Sequence, residues 1–184
     1  MIIGYTDLKD RGDLIGIPYI GKDEQLRGLS AGSGTRNAVL GLGQLTINGP
    51  RKALAVRLKD MGFEFPPIIS PDAVLNEGAS VSEGTIIMDG AVVNCGTEIG
   101  RFCIVNTHVS VDHDCRIGDF VHIAPGAVLT GGVQIGSGTL IGPGVVITLY
   151  RKIIENCIIG AGAVVTEDCT RTGSYYGLPA KIIS

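Results

Sequence analysis

The sequence predicts a mainly β protein: a parallel β-helix of hexapeptide repeats preceded by a small, truncated α/β (Rossmann-like) unit. Three observations carry this. An aliphatic residue returns at every sixth position from Ile69 to Val165; the residue four places after each is small almost without exception; and residues 1–67 show no such period.

The period is unbroken: Ile69, Leu75, Val81, Ile87, Val93, Ile99, Val105 and Val111, then Ile117, Ile123, Leu129, Ile135, Ile141, Ile147, Ile153, Ile159 and Val165. A six-residue repeat is the signature of a β-helix in which each hexad forms one short strand and one turn, and three hexads close a coil. The anchor points inward and the small residue fits beneath the corner. Arg151 is the outlier in that small slot. Gly100, Gly118, Gly136, Gly142 and Gly160 follow their anchors, where backbone freedom is useful. Seventeen hexads make between five and six coils.

Cys103, Cys115, Cys157 and Cys169 all fall in the small slot, which reads as buried packing. The five cysteines include no CxxC pair, as expected of a reduced cytoplasmic protein. Composition agrees with the fold, since 28 glycines and 5% aromatics without Trp favour short strands and turns over a helical bundle. A net charge of −3 with no basic run excludes a nucleic-acid surface, and no apolar stretch is long enough to span a membrane.

Residues 1–67 read as strand, strand, helix. IIGYTD is a short apolar strand ending in an acid, and AVLGLG (38–43) is another ending in glycines. PRKALAVRLKDMG (50–62) is a helix opened by Pro50, striped by Leu54, Leu58 and Met61, and ended by Gly62. The order suits part of a nucleotide-binding unit, with the chain starting at what would be its second strand. The GSG at 32–34, followed by Thr35 to Asn37, reads as a loop rather than a phosphate site. Residues 68–184 form the β-helix with a carboxy-terminal tail.

Packing accounts for most of VNTHVSVDHDCRIGDFVHIAPG (105–126), but not for its three histidines, His108, His113 and His122. A neutral imidazole takes a proton at physiological pH, and a carboxylate beside it, Asp114, raises its basicity or fixes its tautomer. One coil of eighteen residues above His113 is Gly131, whose backbone N–H is unobstructed by a side chain and suits an oxyanion donor.

With its VNTHVSVDHDCRIGDFVHIAPGAVLTGGVQIG segment and terminal YYGLPAKII, the chain resembles the bacterial sugar-nucleotide acetyltransferases of the bacillosamine, perosamine and sialic-acid pathways, which serve glycan biosynthesis. The resemblance implies a left-handed β-helix, a homotrimer with active sites between neighbouring subunits, acetyl-CoA as donor without a metal, and a sugar nucleotide, commonly a UDP-4-amino-sugar, as acceptor. It implies His113 as general base with Asp114 in place of the usual Glu, in a direct attack without an acyl-enzyme. His122, Gly131, Pro143 and Ala161 match acetyl-CoA contacts. Asn106 matches a position near the acceptor sugar, Asp7 an acid at the nucleotide site, and Gly43 the loop beside it. The family's first strand and Gly-rich loop have no counterpart in this sequence.

Three other functions compete. O-acetylation of a sugar or sialic acid needs the same base and donor. A γ-carbonic-anhydrase-like zinc enzyme needs three histidines, and His108 and His113 have the five-residue spacing of two such ligands, but His122 is out of phase with both. A non-enzymatic scaffold would use the coil alone. His108 has no matched role and reads as a surface or interface residue.

Overall fold

A computed structural model describes residues 2–26, 37–44 and 49–183, so the glycine pair at 32–34 and Thr35 lie outside the described residues. The chain divides into two compact units. One comprises residues 1–38 and 56–64, the other residues 39–55 and 65–184, so the segment 39–55 belongs with the repeat.

The second unit is a parallel β-helix. Seventeen two-residue strands run from Ile68–Ile69 to Val164–Val165, and the second residue of each is the hexad anchor. Successive residues of a strand point to opposite faces, so the anchor fills the interior while its predecessor faces out. Each of these strands pairs in parallel with a strand eighteen residues away, as in His122↔Leu140 and Val128↔Val146, and three sheets form the sides of a prism. The first sheet contains His122–Ile123, the second Ser110–Val111 and Val128–Leu129, the third Arg116–Ile117. From Ile87 to Val165 every anchor is buried; Ile69, Leu75 and Val81 of the first coil are partly open because no coil lies beneath them. The antiparallel pair Ser174–Tyr176 and Lys181–Ile183 closes the far end of the first sheet.

The corners obey a rule the period alone does not state. From residue 78 to residue 162, every sixth residue is in the left-handed backbone region, and six of them are not glycine: Phe102, His108, Asp114, Phe120, Tyr150 and Asn156, with φ between 54° and 59°. Each costs about 1–2 kcal/mol of backbone strain. Phe102, His108, Asp114, Tyr150 and Asn156 each lay their side chain over a glycine at the same corner one coil below (Gly84, Gly90, Gly96, Gly132 and Gly138), which has no Cβ to obstruct them. Phe120 instead stacks on Phe102 at 5.1 Å, and Phe102 meets Phe65 edge-on.

The glycines following the anchors serve a different purpose from the one expected. Gly100, Gly118, Gly136, Gly142 and Gly160 are not among the residues of positive φ. A Cβ on Gly100 would lie 2.7 Å from the Gly118 carbonyl carbon, and one on Gly118 would lie 2.7 Å from the Ser137 nitrogen. Close approach of the next coil, not backbone freedom, requires glycine there.

The small slot also carries hydrogen bonds. The buried Thr85, Thr97 and Thr139 donate to Gly100 O, Asp112 O and Ile154 O at 2.7–3.1 Å and accept the N–H groups of Cys103, Cys115 and Cys157 at 2.9–3.3 Å. Arg151, too large for the slot, turns its guanidinium outward to Leu149 O and toward Asp168.

In the segment before the repeat, helix α1 (Pro50–Asp60) forms as expected. It ends in a Schellman motif: Gly62 at φ 87° donates to Lys59 O at 2.8 Å and Phe63 to Leu58 O at 3.1 Å. Its buried line differs from the expected stripe. Arg51, Ala55 and Leu58 are buried, whereas Leu54 and Met61 are half-buried. Among the described residues IIGYTD and AVLGLG form no strand. Isolated bridges occur instead, Tyr5↔Tyr19, Leu14↔Ile17 and Asn37↔Glu64, and Ile2 and Ile3 are exposed. No helix among the described residues is long and apolar enough to cross a membrane.

All five cysteines are unpaired thiols; Cys95 alone is exposed, and burial pushes the Cys103 and Cys169 thiols up to about 12. A thiol reagent such as Ellman's should therefore titrate one group per chain rapidly in native protein and all five in denaturant, read by absorbance.

Candidate active site

His113 and Asp114 stand on the corner joining the second sheet to the third. The left-handed backbone at Asp114, φ 57°, lets these adjacent side chains meet, with Asp114 Oδ2 2.8 Å from His113 Nδ1. A carboxylate only accepts, so Nδ1 carries the proton and Nε2 keeps its lone pair. The hydrogen bond to Asp114 raises the imidazole pKa above its ordinary value, and the nearby Asp112 charge adds to the effect. The ring remains partly open to solvent, with 42% of the side chain exposed.

Gly131 lies where the coil register places it, against that ring. A Cβ there would sit 2.5 Å from His113 Nε2, so only glycine leaves the ring in place. Tyr150 N–H bonds to Gly131 O and Gly132 N–H to His113 O, but no hydrogen bond among the described residues engages the Gly131 N–H. His113 Nε2 thus lies beside Gly131, whose N–H has no partner among the described residues.

Asp112 belongs to this corner although sequence reasoning passed over it. Its carboxylate accepts His113 N–H at 2.8 Å and Asn94 Nδ2 at 3.0 Å, and both bonds hold its pKa below the usual carboxylate value. Asn94 in turn accepts Asn76 Nδ2 at 2.7 Å. The signal was the eighteen-residue spacing of Asn76, Asn94 and Asp112.

His122 is on the first sheet and only 8% exposed. Its Nδ1 lies 2.6 Å from Gln44 O and its Nε2 3.4 Å from Asn106 Nδ2. Burial lowers its pKa; the Gln44 contact opposes this, and the Arg51 charge adds to the lowering. Pro143 and Ala161 are exposed on the corner between first and second sheets, one coil apart, where Gly162 N–H donates to Pro143 O at 2.9 Å. Asn106 lies on the same corner two coils below Pro143. Gly43 has nothing within 4 Å of where a Cβ would stand. Asp7, in the other compact unit, pairs with Arg11 at 2.7 Å, which holds its carboxyl below the usual value.

The expected residues of the β-helix therefore form two groups: His113, Asp114 and Gly131 on one corner; His122, Asn106, Pro143 and Ala161 along the first sheet and its junction with the second. In a three-sided prism the second–third corner is opposite the first sheet, so His113 and His122 of one chain face away from each other. His108 lies on the first–second corner too, over Gly90. The three histidines do not converge, and among the described residues no three His, Cys, Asp or Glu side chains gather for a metal. A cleft of about 270 Å³ lined by Gln44, Lys52, Arg101, Phe120 and Asn156 contains none of the expected site residues.

Comparison with known proteins bears on the family and the fold. The family of bacterial transferase hexapeptides (six repeats) matches residues 114–149. A GDP-perosamine N-acetyltransferase of Escherichia coli O157:H7 is 38% identical over 70 residues, which cover 38% of this chain and about a third (32%) of that protein's length. Among solved structures, a His-to-Asn mutant of perosamine N-acetyltransferase from Caulobacter crescentus, in complex with CoA and GDP-perosamine, superimposes with a TM-score of 0.92 at 31% identity, over 98% of this chain and 84% of that one. The acetyltransferase domain of PglB from Neisseria gonorrhoeae, in complex with acetyl coenzyme A, gives 0.91 at 33% identity, over 99% and 86%. The fold and these similarities define a hexapeptide-repeat transferase. The chain belongs to the bacterial sugar-nucleotide acetyltransferase family of which these proteins are members.

Asp114→Asn should show the carboxylate's contribution. If the neutral ring is the working form, kcat/KM in the parent rises with pH through a pKa above about 6.5. The variant's limb should move to lower pH, with Asp112 retaining part of the elevation, and its plateau should fall about tenfold, a fraction of the 10²–10⁴ a positioned base contributes. A pH–rate profile of both proteins checks this.

Proposed function

We propose that this protein transfers the acetyl group of acetyl-CoA to the amino group of a nucleotide-linked 4-amino sugar, with His113 as general base. The supporting observation is the contact of His113 Nε2 with Gly131 opposite the Asp114 pair. The acceptor's neutral amine attacks the thioester carbonyl while Nε2 takes its proton. The Gly131 N–H receives the developing oxyanion, and collapse expels the CoA thiolate, which takes up a proton. No side chain need be acylated: Cys115 is buried, with its thiol pKa raised by burial.

The resemblance alone favoured a UDP sugar. The named relatives that carry an acceptor hold GDP-perosamine, and they are N-acetyltransferases, so a GDP-4-amino-sugar becomes the first acceptor to test. Because His113 and His122 of one chain face opposite ways, a site that uses both takes them from two chains. This supports a homotrimer of left-handed coils with sites between neighbours, where His122, Pro143 and Ala161 line the acetyl-CoA arm and Asn106 approaches the sugar. Asp7 and Gly43 are assigned to the nucleotide. Use of acetyl-CoA, an intracellular metabolite, supports a cytoplasmic reaction.

Acetyl-CoA turnover against GDP- and UDP-4-amino-sugars and sialic acid tests this. We expect N-acetylation of a GDP-linked 4-amino sugar and a kcat loss of about 10²–10⁴-fold in His113→Ala. Preference for a hydroxyl acceptor, or full activity in the variant, contradicts the proposal.

A further inference from the structure

We infer that Arg51 is a positioning residue for His122: from the start of α1 it pins the 40–44 segment so that the Gln44 carbonyl holds His122 as its Nδ1–H tautomer, leaving Nε2 as a hydrogen-bond acceptor. This rests on the reading of His122 as an acetyl-CoA contact.

Arg51 is 1% exposed, yet no carboxylate pairs with it among the described residues. Burying an unpaired cation is costly, and arginine is rarely found so deep. Its partners are backbone carbonyls instead. Nη1 donates to Leu40 O at 3.0 Å and to Leu42 O, and Nε points to Phe102 O at 3.4 Å. One guanidinium thereby ties the segment before Gln44 to a corner of the β-helix. Gln44 completes the attachment, its Nε2 donating to Phe120 O at 2.5 Å and its own carbonyl facing His122 Nδ1 at 2.6 Å.

Both neighbours of the ring agree on where its proton is. A carbonyl only accepts, so Nδ1 donates to Gln44 O. Asn106 Oδ1 accepts Thr107 N–H at 2.8 Å, which turns the amide so that Nδ2 faces His122 Nε2. Burial and the Arg51 charge both disfavour a second proton. His122 therefore has no N–H at Nε2, and the lone pair there faces only the long 3.4 Å contact from Asn106 Nδ2. An amide N–H of the pantetheine arm would take the place of that contact, and Nε2 cannot donate to the thioester oxygen, which is left to the Gly131 N–H.

Nitrogen-15 NMR of the histidine rings in the full-length protein tests this, with Arg51→Gln and Arg51→Lys beside the parent. We expect parent His122 at pH 7 to be neutral with the proton on Nδ1. In Arg51→Gln that tautomer should lose its dominance and the KM for acetyl-CoA should rise roughly tenfold, the effect of one lost hydrogen bond, with kcat within about twofold. Arg51→Lys, which keeps the charge but not the fork, should recover part of the loss. A parent His122 protonated on Nε2, or an unaltered tautomer and KM in a folded Arg51→Gln, overturns the inference. If Arg51→Gln does not fold, the parent tautomer decides alone. His122→Ala separates the underlying reading: an unchanged KM for acetyl-CoA there refutes the contact, whatever the tautomer.

Discussion

Everything in the β-helix depends on one hydrogen-bonded register, the parallel pairing of each residue with the one eighteen positions on. Parallel strands lie about 4.8 Å apart. Whatever occupies a corner therefore rests directly on its counterpart one coil away. The anchors fill the interior and hold the register, the threonines of the small slot add bonds between coils, and the glycines after the anchors let the next coil approach. The corners project outward under the same constraint, and there the chemistry is placed.

At the second–third corner the register makes one residue's conformation the condition for another's chemistry. Asp114 meets His113 only because its backbone is left-handed, and its carboxylate finds room only because Gly96 below has no Cβ. Asp112, held by Asn94, fixes the backbone N–H of His113 from the other side. The His113 imidazole is thus oriented by contacts within the coil while its Nε2 stays toward Gly131. The first sheet turns His122 the opposite way, which is why the proposed site, if it uses both histidines, draws them from two chains.

How much of this was legible in the sequence follows from what is periodic. The anchors, the small slot and the contact between His113 and Gly131 could be counted off, because a register of eighteen is arithmetic. The glycines were harder: one needed for a positive φ and one needed for a missing Cβ look alike in a sequence, and Gly100 and Gly118 were assigned the wrong reason. Arg51 was hidden because a buried arginine held by carbonyls at Nη1 and Nε, with Nη2 left unpartnered among the described residues, has no sequence pattern, and its link to His122 runs through Gln44, 78 residues from the ring. IIGYTD and AVLGLG offered only short apolar runs without a partner of fixed spacing, so strand propensity misled. Asp112 was passed over because its neighbours His113 and Asp114 explained the corner without it.

Gly131→Ala tests the central claim most directly. The backbone there is not left-handed, so alanine adds no conformational strain, and the nearest atoms to its Cβ would be those of the imidazole. If the register delivers the base to the acetyl carbonyl at this glycine, the variant should fold with the parent's circular dichroism, while kcat falls roughly 10²-fold, the cost of displacing a catalytic group by about 1 Å. A folded variant with the parent's kcat would show that His113 does its work somewhere other than against Gly131.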